Sequence, residues 1–161
     1  MKVLVTGGAG FIGSNVVDAA LAKGWNVKII DNLSTGFKEN LNPSCEFIKA
    51  DICDYEQIER HFEGVDVVFH LAALPRVQPS IDDPLPYNKV NIEGTLSVLD
   101  ACKNHGVKKI VFSSSSSIYG ECGDDPVDEE YRKKPLSPYA LQKLVCEQYF
   151  ELYSTLFGIN S

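Results

Sequence analysis

A chain of 161 residues, 44% of them hydrophobic and 23% charged, has the composition of one ordinary globular domain with enough material for a core. A net charge of −7 with no basic run argues against a nucleic-acid partner. No apolar run approaches the ~20 residues of a membrane-spanning helix, so no membrane is expected. The five cysteines are odd in number and form no Cys-x-x-Cys pair, which reads as reduced thiols in a cytoplasmic protein. The three histidines are not spaced with them as zinc ligands, so no metal is expected. The N-terminus runs straight into an apolar strand, without a signal peptide.

Strands and helices alternate along the chain. Lys2–Thr6 reads as a short buried strand, and Phe11–Lys23 as a helix stopped by Gly24. Asn26–Ile30 is a second strand and Cys45–Lys49 a third. Tyr55–Phe62 is a short helix and Asp66–His70 a fourth strand. Leu74–Ser80 is expected to be a loop facing a substrate, where Arg76 either meets a charged group or is solvated. Pro84–Asn104 is a long helix, Lys108–Ser113 a fifth strand, and Ser137–Phe157 a last helix with Ser137 as cap and Pro138 at its first position. The strands are continuously apolar, as strands covered on both faces are. The expected fold is therefore α/β, a doubly wound parallel sheet of Rossmann type. The last helix is apolar on more than one side, which suggests a second contact.

Between the first strand and first helix stand Gly7, Gly8, Gly10 and Gly13. Strand, glycine turn and helix together place a diphosphate on a helix N-terminus, where free N–H groups and the helix dipole meet it. Asp31 closes the second strand at a distance that suits a carboxylate gripping ribose hydroxyls. No Arg stands beside it and its charge would repel a 2′-phosphate, which favours NAD over NADP. The alternative is a solvated Asp opening an Asp-Asn turn. Tyr139 and Lys143 lie four apart on one helical face, and an ammonium near a phenol favours the phenolate. Tyr139 is then a candidate proton acceptor. Tyr-x-x-x-Lys is also common by chance. The run Ser113–Ser117 falls at the carboxyl edge of the sheet, where open α/β folds bind ligands, and alone it could equally be a polar strand end.

Taken together, Thr6–Gly13, Asp31–Gly36, Ala50–Ile52, His70–Ala73, Asn91–Thr95, Phe112–Gly120 and Tyr139–Lys143 resemble the motifs of the extended short-chain dehydrogenase/reductase family. Within it the chain is similar to the NAD-dependent nucleotide-sugar epimerases of the UDP-glucose/UDP-galactose type, from Met1 to Ser161 without a gap. The resemblance implies that Gly7, Gly10 and Gly13 cradle the pyrophosphate, with Phe11 and Ile12 also binding the cofactor. It implies that Asp31 and Asn32 hold the adenosine ribose and that Asp51 and Ile52 flank the adenine. Leu71, Ala72 and Ala73 would line the nicotinamide side, with Ser113 beside the cofactor and Asn91 in support. Ser115, four residues before Tyr119, matches the catalytic serine; Tyr139 would be the base. Lys143 would hold the nicotinamide ribose and acidify the tyrosine.

Relatives that dehydrate or decarboxylate carry an acid after the catalytic serine, because expelling a hydroxyl needs a proton donor. Here those positions are Ser116 and Ser117. The reaction implied is therefore hydride exchange at C4 of a nucleotide sugar, with NAD regenerated. Members of the family continue past the Tyr-Lys helix into further strands and a C-terminal substrate domain. Residues 1–161 are thus expected to be the NAD-binding domain of a truncated chain that turns over sugar poorly, with an open edge on the fifth strand. The alternatives are an NAD(P)-dependent reductase of the same superfamily and a non-catalytic NAD-binding module. The resemblance also implies a homodimer through the two helices Pro84–Asn104 and Ser137–Phe157.

Overall fold

Alternation of apolar strand and helix produces a five-stranded, wholly parallel sheet in a computed structural model that describes residues 1–123 and 126–161. The strands are β1 (Lys2–Thr6), β2 (Asn26–Asp31), β3 (Glu46–Lys49), β4 (Val67–His70) and β5 (Lys109–Phe112), in the order β3-β2-β1-β4-β5. The chain winds outward from β1 to β3, then returns across β1 to lay down β4 and β5. Winding direction therefore reverses between β1 and β4, the place where open α/β sheets leave a crevice at their carboxyl edge. The register brings the strand ends level there: Thr6 pairs with Ile30 and His70, and His70 with Phe112.

Successive strand residues point to opposite faces, which divides the core in two. Val3, Val5, Val27 and Ile29 pack with Val17 of helix α1 (Phe11–Ala22) on one face. Leu4, Ile30, Val68 and Ile110 pack on the other, against α2 (Tyr55–Ile58), α5 (Gly94–Asn104) and α6 (Pro138–Phe157). Phe62 is completely buried in this second cluster. Its truncation to Ala is expected to cost about 3–5 kcal/mol, read by urea unfolding.

Most elements fall where their residues place them, within a residue or two of the expected ends. Ser137 Oγ accepts the Ala140 amide at 3.1 Å, Pro138 opens α6, and Gly158 ends it in the left-handed region at φ 67°. Three segments differ. Val77–Asp82 is helix α3 and not a loop; Pro79 is tolerated because it sits in the first turn, where the missing N–H had no helical partner. The expected helix Pro84–Asn104 is continuous but heterogeneous: α4 (Pro84–Asn88), a widened π turn at Lys89–Glu93, then α5. Within the π turn the Asn91 carbonyl accepts from both the Thr95 hydroxyl (2.6 Å) and the Cys146 thiol (3.0 Å). Finally, the edge of β5 is not wholly open. Asn160 bridges it in parallel fashion, accepting the Ile110 amide and donating to the Lys108 carbonyl, each at 2.9 Å. Beside it Val111 remains 37% exposed, on the face that α1 covers elsewhere.

Candidate functional site

At the carboxyl edge of the sheet lies a cleft of about 760 Å³, within the size range of small-molecule and cofactor sites. Its floor is the turn after β1. Gly7 has φ +75°, and a Cβ there would fall 2.6 Å from the Ala72 amide nitrogen. A Cβ on Gly13 would collide with the Gly7 carbonyl. The turn can therefore be this tight only with glycine at both positions. Gly10 caps α1 without a side-chain acceptor, so the first-turn amides stay open toward the cleft. Phe11 and Ile12 stand 84% and 58% exposed beside them. The cradle fits an anionic diphosphate by shape and by polarity.

Asp31 forms one wall. It is 8% exposed, and its carboxylate accepts the Ala9 amide at 3.0 Å and the Leu33 amide at 2.8 Å. It thus ties the glycine turn to the end of β2 and opens the Asp-Asn turn from a buried position, not a solvated one. Asn32 donates to Asp51 at 3.0 Å. Burial pushes the Asp51 carboxyl up, but the Cys53 and Asn32 amides that donate to it, with Lys89 nearby, outweigh burial and hold it below the usual carboxylate range. Asp51 and Ile52 close the same end of the cleft.

The opposite wall is Leu71–Arg76, fastened by a buried hydrogen-bond chain. Thr6 Oγ accepts the Leu71 and Ala72 amides at 3.3 Å each and meets His70 Nδ1 at 2.7 Å. His70 Nε2 meets Thr95 Oγ at 2.9 Å, and that hydroxyl donates to the Asn91 carbonyl. Because the Thr95 proton is committed, Nε2 must carry the imidazole proton; Nδ1 then accepts from Thr6. The neutral ring is stacked on Phe112 and Phe150 at centroid distances of 5.8 and 6.5 Å. Burial, and then the Lys143 charge, push its pKa down to about 3.

Tyr139 and Lys143 enter the cleft from α6, on one helical face as their spacing predicts. Lys143 is 4% exposed, its Nζ donating to the Ser113 carbonyl at 2.8 Å and lying 6.0 Å from the Tyr139 ring centroid. Burial pushes its pKa down to about 8.

Of the residues singled out in the sequence, the cleft is lined by Gly7, Gly10, Phe11, Ile12, Gly13, Asp31, Asn32, Asp51, Ile52, Leu71, Ala72, Ala73, Ser113, Tyr139 and Lys143. Two stand outside its wall. Asn91 is buried beneath it and holds both the amide and the carbonyl of Leu74, which does line it. Ser115 is engaged locally: its Oγ lies 2.7 Å from Ser117 Oγ and caps the short 3₁₀ turn Ser116–Tyr119. Ser114, part of the serine run but given no role of its own from the sequence, lines the cleft instead, and its buried hydroxyl has no partner among the described residues. Tyr87, Pro79 and Gly36 also contribute. Only Gly36 belonged to a motif, and the other two come from helices whose placement depends on tertiary packing.

The arrangement offers open amides for a diphosphate, a carboxylate at a strand end, and a phenol beside a buried ammonium. The chain is 46% identical over 160 residues to a putative UDP-glucose 4-epimerase of Methanocaldococcus jannaschii, covering 98% of this chain and 52% of that protein. A Thermus thermophilus UDP-glucose 4-epimerase solved in complex with NAD superposes with a TM-score of 0.95 at 42% identity, covering 99% of this chain and 52% of that one. The UDP-N-acetylglucosamine 4-epimerase of Methanobrevibacter ruminantium superposes with a TM-score of 0.92 at 46% identity, covering 98% and 52%. The chain thus spans about half the length of the relatives it matches. With the family model for NAD dependent epimerases and dehydratases matching residues 3–161, the chain belongs to the NAD dependent epimerase/dehydratase family.

Proposed function

We propose that residues 1–161 form the cofactor-binding half of an NAD-dependent nucleotide-sugar 4-epimerase of the UDP-glucose/UDP-galactose type. The observation that carries this reading is the meeting of the glycine turn, Asp31, Tyr139 and Lys143 on one cleft. Gly7, Gly10 and Gly13 with Phe11 and Ile12 hold the pyrophosphate, while Asp31 and Asn32 hold the adenosine ribose. Asp51 and Ile52 flank the adenine, and Leu71, Ala72, Ala73 and Ser113 border the nicotinamide. Asn91 acts from beneath, through Leu74. When bound, NAD supplies a hydride acceptor at the sugar carbon and gives the hydride back.

Everything else is acid–base work by the chain. Tyr139 takes the proton of the C4 hydroxyl and later returns it. Lys143, a cation at neutral pH, holds the ribose and stabilises negative charge on the tyrosine oxygen. Ser115 exchanges its contact with Ser117 for one with the sugar oxygen. With serine at both 116 and 117, no acid directly follows Ser115 in the chain to protonate a departing hydroxyl, so dehydration is disfavoured.

The substrate's nucleotide is held by a further domain outside this chain, and the two halves act in the cytoplasm as a homodimer. The dimer contact runs along the α4–α5 and α6 helices. Leu141, Leu152 and Leu156 share one side of α6, 52%, 47% and 61% exposed; sedimentation velocity reads the assembly. Incubation of the chain with NAD and UDP-galactose tests the division of labour. The expected result is bound NAD with little or no conversion to UDP-glucose and no accumulation of reduced cofactor. Rapid conversion would place substrate recognition within these 161 residues, and stoichiometric cofactor turnover would favour a reductase.

A further inference from the structure

Ser80 is polar and fully buried. Its hydroxyl donates to the Val77 carbonyl at 2.6 Å and accepts the Tyr139 amide at 3.1 Å, across 59 residues of chain. That amide is the second of α6, among the first-turn donors for which a helix has no internal acceptor. Ser137 serves the next one, Ala140. The amino end of the helix that carries Tyr139 is therefore capped twice, once locally and once from α3.

The same stretch is fastened at its other end. Leu74 exchanges two hydrogen bonds with the Asn91 side chain, at 2.8 and 3.1 Å, and Asn91 Nδ2 also donates to Gln142 at 3.0 Å. Tyr139 and Gln142 are three apart, neighbours on one helix face. Leu74–Ser80 is thus a strap tied at both ends to a single turn of α6. Between the ties, Arg76 and Pro79 line the cleft. Arg76 holds φ 88°, a left-handed conformation that a residue with a side chain resists, and the two ties keep it there.

We propose that Ser80 is a positioning residue: through this strap it sets where Tyr139 stands in the cleft and passes to Tyr139 the contacts an occupant makes along the Arg76 wall. The proposal rests on the cofactor reading above. A hydroxyl that donates and accepts at once has one geometry. Alanine leaves the Tyr139 amide without its acceptor and the Val77 carbonyl without its donor, so the strap and the helix end are no longer joined.

Amide exchange of the ligand-free chain, with NMR of its NAD titration, tests this. In Ser80→Ala the Tyr139 amide exchanges about fivefold faster, while the Ala140 amide keeps its rate. Affinity for NAD changes by less than about threefold, since the glycine turn is untouched, but the shift that NAD produces at the Tyr139 ring is lost. Ser80→Thr keeps the hydroxyl and restores both slow exchange and ring response. Gln142→Met, which releases the other tie, also loses the ring response and serves if Ser80→Ala does not fold. Unchanged Tyr139 exchange in Ser80→Ala overturns the proposal. So does a Thr variant that behaves like the Ala variant, or NAD affinity lost together with the ring response. A wild-type chain that does not bind NAD refutes the functional reading and leaves the exchange comparison to decide this one.

Discussion

Gly13→Ala is expected to lower affinity for NAD by about a hundredfold or more, near 3 kcal/mol, and to destabilise the fold by about 1–3 kcal/mol. The added methyl collides with the Gly7 carbonyl and comes within 2.8 Å of Gly8 Cα. The turn cannot retreat. The Gly7 amide is bonded to the Ile30 carbonyl at 2.8 Å, and the Gly7 carbonyl accepts the Gly10 amide at 3.1 Å. Either α1 is pushed off β1 or the carbonyl swings toward the anion the cradle is shaped for; both spoil the site. Gly24→Ala is the control. Gly24 has φ +73° with nothing within 4 Å of a Cβ. It should cost about 1 kcal/mol of backbone strain and leave NAD affinity unchanged. Calorimetry and urea unfolding on the three chains separate the two effects. Equal affinities for wild type and Gly13→Ala would remove the turn from the binding site.

The second large effect is acid sensitivity centred on His70. In the folded chain its pKa sits at about 3, from burial and then the Lys143 charge; in the unfolded chain it returns to about 6.5. Between those values the unfolded chain binds a proton that the folded chain refuses, so stability falls as pH falls. The full difference is on the order of 5 kcal/mol, and roughly half of it is spent by pH 4.5. Asp51 and Asp100, whose pKa values are also lowered, add their losses only as pH approaches the ordinary carboxylate range and below. His61, lowered by burial and by Arg60, contributes in the same direction but is partly exposed. His70→Phe keeps the stack on Phe112 and Phe150 and removes the titrating group. Unfolding free energies at pH 7 and 4.5 should show a steep loss in wild type and a much shallower one in the variant. Equal slopes would mean that the proton never mattered at this ring. Lys143 acts in the opposite range: with its pKa at about 8 against about 10.4 unfolded, its contribution to stability rises with pH between those values.

How far the sequence could be read follows from how local each feature is. The turn at Gly7–Gly13, the carboxylate at Asp31 and the ends of α6 are written in consecutive residues. Ser137, Pro138 and Gly158 would cap a helix in any protein, and those features lie where the residues predict. The register that levels Thr6, Ile30 and His70 follows from winding a parallel sheet, whereas the placing of Tyr139 and Lys143 also depends on long-range contacts of α6 with Ser80 and Asn91. The π turn at Lys89–Glu93 was not legible, because Cys146, which helps to satisfy the Asn91 carbonyl, lies 55 residues away. Helix α3 was hidden by Pro79, a residue that reads as a breaker unless its first-turn position is known. His70 looked like the last residue of an apolar strand. Its role appears only when Thr6 and Thr95, from β1 and α5, close on its two ring nitrogens. Ser115 matches by position, yet its hydroxyl is held by Ser117, a contact that depends on the 3₁₀ turn behind it.

The most direct test of the account is a calorimetric titration of NAD, with NADP in parallel, into the 161-residue chain. One NAD per chain is expected to bind, with NADP weaker by at least about tenfold because the Asp31 carboxylate, which lines the cleft, would repel a 2′-phosphate. Absence of binding by either dinucleotide, or preference for NADP, would contradict it.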